Sequence, residues 1–164
     1  MKWAFAAVVL VFVAFLVYLR LTTTKTMYVN GLAPYTSLPG REFILEHECY
    51  IFKFKHPNTD WPLIGSRDTV PDLPTEVKAS NVGMDLPNIR ILDVLHVGDQ
   101  FRIVSVRRDQ APKATTITFE ILLQDEATRK YPRLDAFWIM DHSPEATGGA
   151  PTIMTSYAVS AEKR

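Results

Sequence analysis

Two residues with reactive side chains, His47 and Cys49, stand two apart in a stretch that predicts a strand. Because successive side chains of a strand alternate between its faces, the imidazole and the thiol are expected on the same face. A thiol nucleophile beside its base, or a pair of metal ligands, uses this arrangement. The apolar neighbours Leu45 and Ile51 on that face instead favour Cys49 as a core residue. His47 and Cys49 are therefore weak catalytic candidates, set against a packing interpretation.

Other groupings of reactive residues favour chemistry less. Asp141, His142 and Ser143 are the residue types of a catalytic triad, but neighbouring side chains diverge and a triad is assembled from separated segments. The remaining histidines, with His56 and His96 as further candidates, do not fall at spacings common in zinc sites. The glycine-rich phosphate-binding motifs are missing from the sequence. The sequence thus predicts no metal and no other cofactor.

A tryptophan and a group of arginines are the candidate binding residues. Trp61 lies in a proline-rich stretch and is of a type enriched at interface hot spots. Arg102, Arg107 and Arg108 gather with Lys113 around one predicted hairpin and could meet an anionic partner. The alternatives are a tryptophan that packs its loop onto the core and a solvated hairpin face.

Composition limits the classes of partner. The 164 residues are 47% hydrophobic and 22% charged, which is enough apolar material to bury a core. Lysine plus arginine balance aspartate plus glutamate at 18 each, so no large positive field attracts nucleic acid. The single cysteine excludes an intramolecular disulfide. We expect one domain that does not bind nucleic acid.

Residues 1–21 predict a helix that spans or anchors in a membrane. The run from Trp3 to Leu19 holds 17 uncharged residues between Lys2 and Arg20, and it would span roughly 26 Å. No small-residue cleavage site follows, which favours a retained anchor over a signal peptide. The flanking positive charges are tied once Lys25 is counted, so orientation is argued from resemblance to an uncleaved bacterial signal anchor. We expect a single-pass membrane protein with a periplasmic or extracellular domain.

Small side chains recur along one face of this predicted helix, at Ala4, Ala7, Val11 and Ala14. Such a face permits close approach of a second helix, and hence a protein partner or self-association in the membrane. Alanine is also simply common in membrane helices, and that is the plainer interpretation.

Beyond the anchor, the sequence divides into a linker at 22–41, a β-rich soluble domain at 42–160 and a frayed tail at 161–164. Threonines, Asn-Gly and Pro-Gly punctuate the linker. A single long strand is expected from Glu42 to Lys55, because the stretch is rich in aromatic and β-branched residues. The following stretch, 56–90, contains five prolines and predicts a long ordered loop and contact surface, with at most a short strand near 75–79.

The remaining strands are expected in the C-terminal half. A turn at 95–100 introduces a strand at 101–106, and strong alternation marks 115–124. Two further strands are expected at 134–140 and 153–159. The first three of these strands should pair as antiparallel neighbours.

These elements predict a mainly β fold, in which an N-terminal transmembrane helix precedes a small antiparallel β-barrel or sandwich. The turn from Leu95 to Phe101 resembles the start of a strand in SH3-like barrels, so an SH3-like or OB-like barrel is one form of this expectation. For function, we expect a membrane-anchored, non-enzymatic binding or assembly module of the cell envelope. The alternatives are a membrane-anchored hydrolase or thiol enzyme using His47 and Cys49, and a carrier or chaperone for a small ligand.

Overall fold

The computed structural model describes residues 2–56, 61–111, 114–124 and 131–163, and the side chains of residues 2–8, 20, 21 and 163 lie outside the description. One α-helix precedes a mainly β domain. The helix is α1 (Lys2–Thr22). The strands are β1 (Lys25–Tyr28), β2 (Glu42–Leu45), β3 (Cys49–Phe54), β4 (Leu63–Gly65), β5 (Ile89–Leu95), β6 (Gln100–Ala111), β7 (Ala114–Leu123), β8 (Leu134–Asp135), β9 (Met140–Asp141), β10 (Thr152–Ile153) and β11 (Ala158–Ser160).

Helix α1 forms where the apolar run predicts a helix. Its side chains from Val9 to Leu19 are exposed, since nothing in the domain packs against them. Across the described residues, no helix has both the length and the apolarity required to cross a bilayer. The transmembrane expectation is accordingly not supported by the structure. Of the predicted packing face, Ala4 and Ala7 have side chains outside the description, and Val11 and Ala14 are exposed.

The segment 22–41, expected to be a linker, is joined to the domain over much of its length. Strand β1 pairs antiparallel with the distal half of β6, in the register Lys25 to Gln110 through Tyr28 to Arg107. Val29 and Leu38 are buried in the main core. The chain therefore enters the domain almost directly from the helix.

The sheet is open, so the predicted barrel is wrong. Its strand order is β11-β2-β6-β7-β8-β4-β3-β5, with β1 also on β6. The strands at the two ends of this order, β11 and β5, have no pairing with each other among the described residues. The shortest strand pairing in this order is between β4 and β8. These strands are parallel, and among the described residues they pair only at Leu63 and Asp135.

The prediction of one long strand at 42–55 is wrong, because this stretch forms two strands, β2 and β3. The backbone N–H groups of Glu46 and His47 donate to the carbonyl of Tyr157, at 2.8 and 3.3 Å. This contact turns the chain between β2 and β3, which then pair with different strands. His47 consequently sits in the turn rather than on a strand.

The expected strands at 101–106 and 115–124 are confirmed as β6 and β7, and β6, β7 and β8 are antiparallel neighbours. The expected strand at 134–140 is instead β8, a 3-10 helix over Phe137–Ile139, and β9. The one at 153–159 is divided between β10 and β11. No strand forms at 75–79, whereas β4 and β5 were not expected.

Candidate functional site

Two arginine side chains contact the ring of Trp61. The guanidinium carbon of Arg107 lies 4.6 Å from the centroid of the ring and that of Arg133 lies 4.8 Å from it. Each contact places a cation over an electron-rich aromatic face, worth about 0.5–2 kcal/mol depending on exposure. The three residues come from separate segments, so the fold assembles this cluster.

Strand β6 positions Arg107 against the ring of Trp61. Its side chain is only 16% exposed, and its Nη2 donates to Oδ2 of Asp109, on the same face of β6, at 2.9 Å. Its Nε has no hydrogen-bond partner among the described residues. Arg107 therefore keeps unused donor capacity, whereas Arg133 is exposed.

Trp61 and Arg133 belong to a surface cleft of about 610 Å³, which we call the Trp61 cleft. Tyr131 forms part of its wall and donates a 3.2 Å hydrogen bond to the carbonyl of Leu92. Lys53 and Arg90 occupy paired positions on β3 and β5. The cleft is lined by Lys53, Trp61, Pro62, Arg90, Leu92, Tyr131, Pro132 and Arg133.

The Trp61 cleft is cationic and aromatic. Its described lining includes three basic side chains and no carboxylate. The nearby acid Asp85 is paired with Lys55 at 2.7 Å, and that ammonium is the main reason its pKa is lowered. In a chain of zero formal net charge, this is a local concentration of positive charge suited to carboxylate or phosphate groups.

Behind the cleft, acidic residues are buried on the sheet. Glu120 of β7 accepts a hydrogen bond from Ser105, and its Oε1 lacks a partner among the described residues. The neighbouring Asp135 accepts from the backbone N–H groups of Phe119 and Phe137, both at 3.0 Å. Burial raises the pKa of Asp135 to about 6, against the lowering effect of those hydrogen bonds and of Arg107.

A second cleft, of about 560 Å³, lies around His47 and is called here the His47 cleft. The ring of His47 meets that of Tyr157 edge-on, with centroids 5.5 Å apart. Aromatic and methionine side chains form much of the wall. The lining is His47, Asp68, Thr69, Phe137, Trp138, Met140, His142, Met154, Ser156 and Tyr157.

Cys49 lies in the main core, away from any open surface. Its Sγ points to the backbone carbonyl of His47 at 3.7 Å rather than to the imidazole. Burial, with a smaller effect from Glu48, raises the pKa of the thiol to about 12. The thiol therefore stays protonated at neutral pH, which does not suit a nucleophile.

Two polar residues of the His47 cleft are hydrogen-bonded within the protein. The hydroxyl of Tyr157 shares a hydrogen bond of 2.6 Å with that of Ser66, and burial raises the pKa of Tyr157. Both ring nitrogens of His142 are engaged, one with Glu145 and one with the carbonyl of Phe137, each at 3.2 Å. These hydrogen bonds order part of the wall of the cavity.

The structure separates the other predicted residues. Arg102, at the start of β6, is exposed beside Glu42 in the register. Arg108 lies on the face of β6 opposite Arg107 and is also exposed. His56 and His96 are exposed, and His96 pairs with Glu48 at 3.2 Å. No group of three or more potential metal ligands occurs in the described part of the chain.

Sequence reasoning missed Lys53, Arg90, Tyr131 and Arg133. Lys53 lies on the strand predicted at 42–55. Its partner strand, β5, was not predicted, because it begins within the stretch 56–90, which was interpreted as a loop. A usable signal was the pattern Tyr131-Pro132-Arg133, in which an aromatic and a basic residue flank a proline. Aromatic and arginine side chains together are typical of binding surfaces.

Comparison with protein families, with curated proteins and with solved structures finds no match to this chain.

Proposed function

We propose that this protein is a membrane-anchored, non-enzymatic binding or assembly module of the cell envelope, which takes an acidic partner protein in the Trp61 cleft. The observation that carries the proposal is a cleft whose described lining combines three basic side chains with a tryptophan, whose ring is contacted by two guanidinium groups. Tryptophan and arginine dominate the energetics of protein interfaces, especially where they are held rigidly.

Electrostatics favours an acidic partner over other macromolecules. The Trp61 cleft offers flat guanidinium groups that bind carboxylates through two parallel hydrogen bonds. The protein as a whole has no excess positive charge, so it lacks the broad field that gives nucleic-acid binding its strength. A compact acidic segment of a protein therefore fits this surface better than a polynucleotide does.

The burial of Cys49 supports a binding function over the thiol-enzyme alternative. Its raised pKa and the contact of its Sγ with the backbone carbonyl of His47 speak against the candidate dyad. In the described residues, the other histidine of the His47 cleft is already fully hydrogen-bonded. The described lining of the Trp61 cleft, in contrast, carries basic side chains and no carboxylate, which suits recognition of an acidic group.

Membrane attachment is supported by α1. The apolar run from Trp3 to Leu19 carries no charge, and its described side chains find no cover in the domain. Exposed apolar surface of this extent requires a lipid or protein environment. The resemblance to a bacterial signal anchor directs the domain to the periplasmic or extracellular side.

The test is capture of a partner from native membranes by the intact protein in mild detergent. We expect the wild type to retain a stoichiometric protein that Arg133→Glu loses by at least about tenfold, since charge reversal replaces attraction by repulsion. Arg102→Glu is the matched control, because Arg102 is equally exposed but does not line the cleft.

Two results would refute the proposal. One is equal capture by the wild type and Arg133→Glu, which would place the contact elsewhere. The other is a monomeric wild type with no stoichiometric partner. Alkali extraction of membranes tests the anchor separately, because a module released by alkali is not held by its helix.

The His47 cleft favours one second candidate, a carrier for a small apolar ligand. Its 560 Å³ volume and its lining of Phe137, Trp138, Met140 and Met154 suit a molecule of modest size. The cavity differs from the expected one, which was the interior of a barrel. Native mass spectrometry of the purified protein would reveal the additional mass of a bound ligand, and a bare protein mass would count against this role.

A further inference from the structure

We propose that the His47 cleft binds a small organic cation of the quaternary ammonium class. The inference rests on the carrier role considered above for this cleft and specifies the charge of its ligand, and it is independent of the Trp61 cleft. It depends on three features of the described residues. These are an aromatic wall, a carboxylate with no salt-bridge partner, and the lack of lysine and arginine in the lining.

The wall of the His47 cleft is rich in aromatic rings. Phe137 and Trp138 stand at 85° to each other with ring centroids 5.6 Å apart, and the rings of His47 and Tyr157 meet at 87° with centroids 5.5 Å apart. Rings at right angles form a corner, in which one rounded group can contact two aromatic faces. The faces of tryptophan, tyrosine and phenylalanine carry negative charge density and attract cations. The cleft therefore offers an organic cation favourable contacts that need no hydrogen bond.

One carboxylate, that of Asp68, lines the same cleft. The backbone N–H of this exposed residue donates to the hydroxyl of Ser66 at 3.3 Å, whereas its carboxylate has no hydrogen bond or salt bridge to the described part of the chain. The neighbouring Arg67 does not pair with it, because Nη1 of Arg67 donates to the carbonyl groups of Pro71 and Leu73. The negative charge of Asp68 is therefore open to a ligand.

The turn that carries Asp68 is fixed against the aromatic wall. The N–H of Val70 donates to the carbonyl of Ser66 at 2.8 Å, which closes the turn directly after β4. Ser66 is 3% exposed and holds the 2.6 Å hydrogen bond with Tyr157. Burial is the main cause of the raised pKa of Tyr157, and the charge of Asp68 raises it further, so this carboxylate acts electrostatically on the wall. The carboxylate and the rings thus belong to one preorganised site.

The charge of the described lining favours a cation over an anion. Asp68 is its one acidic residue, and it contains no lysine or arginine. The Trp61 cleft is the reverse, since its described lining has three basic side chains and no carboxylate. A ligand that joined its ammonium group to a phosphate, as a lipid head does, would meet no lysine or arginine in the lining of the His47 cleft. A free organic cation therefore suits this cleft better than a phosphocholine lipid head.

The available hydrogen-bond acceptors favour a quaternary ammonium group over a primary one. A primary ammonium group has three N–H donors to satisfy. Both ring nitrogens of His142 and the hydroxyl of Tyr157 are already used within the protein. A quaternary ammonium group needs no acceptor and is recognised by aromatic side chains. The volume of about 560 Å³ leaves room for an attached apolar body.

Titration calorimetry of the intact protein in a non-ionic detergent tests the inference with a matched pair of probes. Choline carries a trimethylammonium group, and its neutral isostere is a dimethylbutanol in which carbon replaces the nitrogen. We expect choline to bind at least about tenfold more tightly than this alcohol, because only the cation is attracted by the carboxylate and the aromatic faces. Phosphocholine is the third probe and should bind more weakly than choline.

Two variants separate the charge from the rings. Asp68→Asn should weaken choline binding at least about fivefold and leave binding of the alcohol unchanged, since the amide keeps the shape and removes the charge. Asp72→Asn is the matched control and should bind choline like the wild type, because Asp72 is exposed in the same loop but does not line the cleft. Trp138→Leu should weaken choline binding at least about threefold, with a smaller effect on the alcohol.

Equal affinity of the wild type for choline and the alcohol overturns the inference and leaves the carrier role for an apolar ligand standing. Failure to bind either probe also overturns it, and native mass spectrometry then tests the carrier role separately. Choline binding that is unchanged in Asp68→Asn would place the cation elsewhere, and tighter binding of phosphocholine would assign the cleft to lipid heads. The Trp61 cleft is tested independently by Arg133→Glu.

Discussion

The Trp61 cleft and the His47 cleft have similar volumes, about 610 and 560 Å³, but their linings differ in chemistry. The His47 cleft combines aromatic and methionine side chains with hydrogen-bonded residues such as His142 and Tyr157. The described lining of the Trp61 cleft includes Lys53, Arg90 and Arg133 and no carboxylate. Two clefts of nearly equal size therefore suit ligands of different chemical class.

One residue joins the two clefts. Asp135 pairs in the sheet with Leu63, two positions after Trp61. Its carboxylate also accepts from the N–H of Phe137, which begins the 3-10 helix that forms a wall of the His47 cleft. Substitutions at or beside this residue can therefore separate effects on stability from effects on recognition.

The largest expected effect is on stability, at the wall of the His47 cleft. Met140 is 1% exposed, so Met140→Ala should lower the free energy of unfolding by about 2–5 kcal/mol through lost burial and a new cavity. Urea unfolding of the intact protein in detergent measures it. Met84→Ala, at an exposed methionine, is the matched control and should change stability by no more than about 0.5 kcal/mol. Similar values for the two variants would mean that this wall is not part of the packed core.

The next effect concerns pH. Burial raises the pKa of Asp135 from its usual 3.8 to about 6, so its stabilising contribution is complete below pH 3.8 and is lost as pH rises through about 6. Asp135→Asn keeps an oxygen for both backbone N–H groups and removes the charge. We expect the free energy of unfolding of Asp135→Asn at pH 7 to be about 2–3 kcal/mol higher than that of the wild type. Urea unfolding from pH 4 to 8 measures the difference.

Asp141→Asn is the control for that pH profile. Hydrogen bonds from Ser143 lower the pKa of Asp141, so its contribution is present above its usual pKa and is lost as pH falls through the lowered value. The substitution should leave the wild-type slope between pH 4 and 6 unchanged. A flat wild-type profile in that window would contradict the assignment to Asp135.

The smallest expected effect tests the two contacts between arginine and Trp61. Double-mutant cycles combine Trp61→Ala with Arg107→Ala and with Arg133→Ala. Measured on the free energy of unfolding, each cycle gives the coupling free energy of one pair. Arg107 is largely desolvated and Arg133 is exposed, so we expect about 1–2 kcal/mol for the first pair and about 0.5 kcal/mol for the second. A stronger coupling to Arg133 would show that the ring belongs to the outer surface rather than to the layer behind it.

Sequence patterns predicted those parts of the fold that depend on local alternation. Strand β7 was found because Ile117, Phe119, Ile121 and Leu123 share a face, and these side chains do pack inward. The residues that alternate with them are polar, yet Thr118 and Glu120 among them are buried. The layer that covers them comes from distant segments, which periodicity within one strand cannot reveal.

Contacts at two ranges explain the failures. The break between β2 and β3 depends on Tyr157, far along the chain. The break after β8 accompanies a local hydrogen bond, from the N–H of Phe137 to the carboxylate of Asp135. At the candidate site, Trp61 and Arg107 could each be selected by residue type. Their contact, and the addition of Arg90 and Arg133, required a sheet order that includes the unexpected strands β4 and β5.

The attachment of β1 to β6 also determines how the domain responds to mechanical load. Tension between a membrane-held helix and a partner-bound domain would enter at Lys25 and act along the axis of β1. Hydrogen bonds of an antiparallel pair lie perpendicular to the strands, so the pairs from Lys25 to Tyr28 would be loaded in shear and share the force. The bond from Thr26 to Asp109 and the buried Val29 lie along the same line. Pulling on α1 would thus strain the β1–β6 ladder rather than extend a flexible linker.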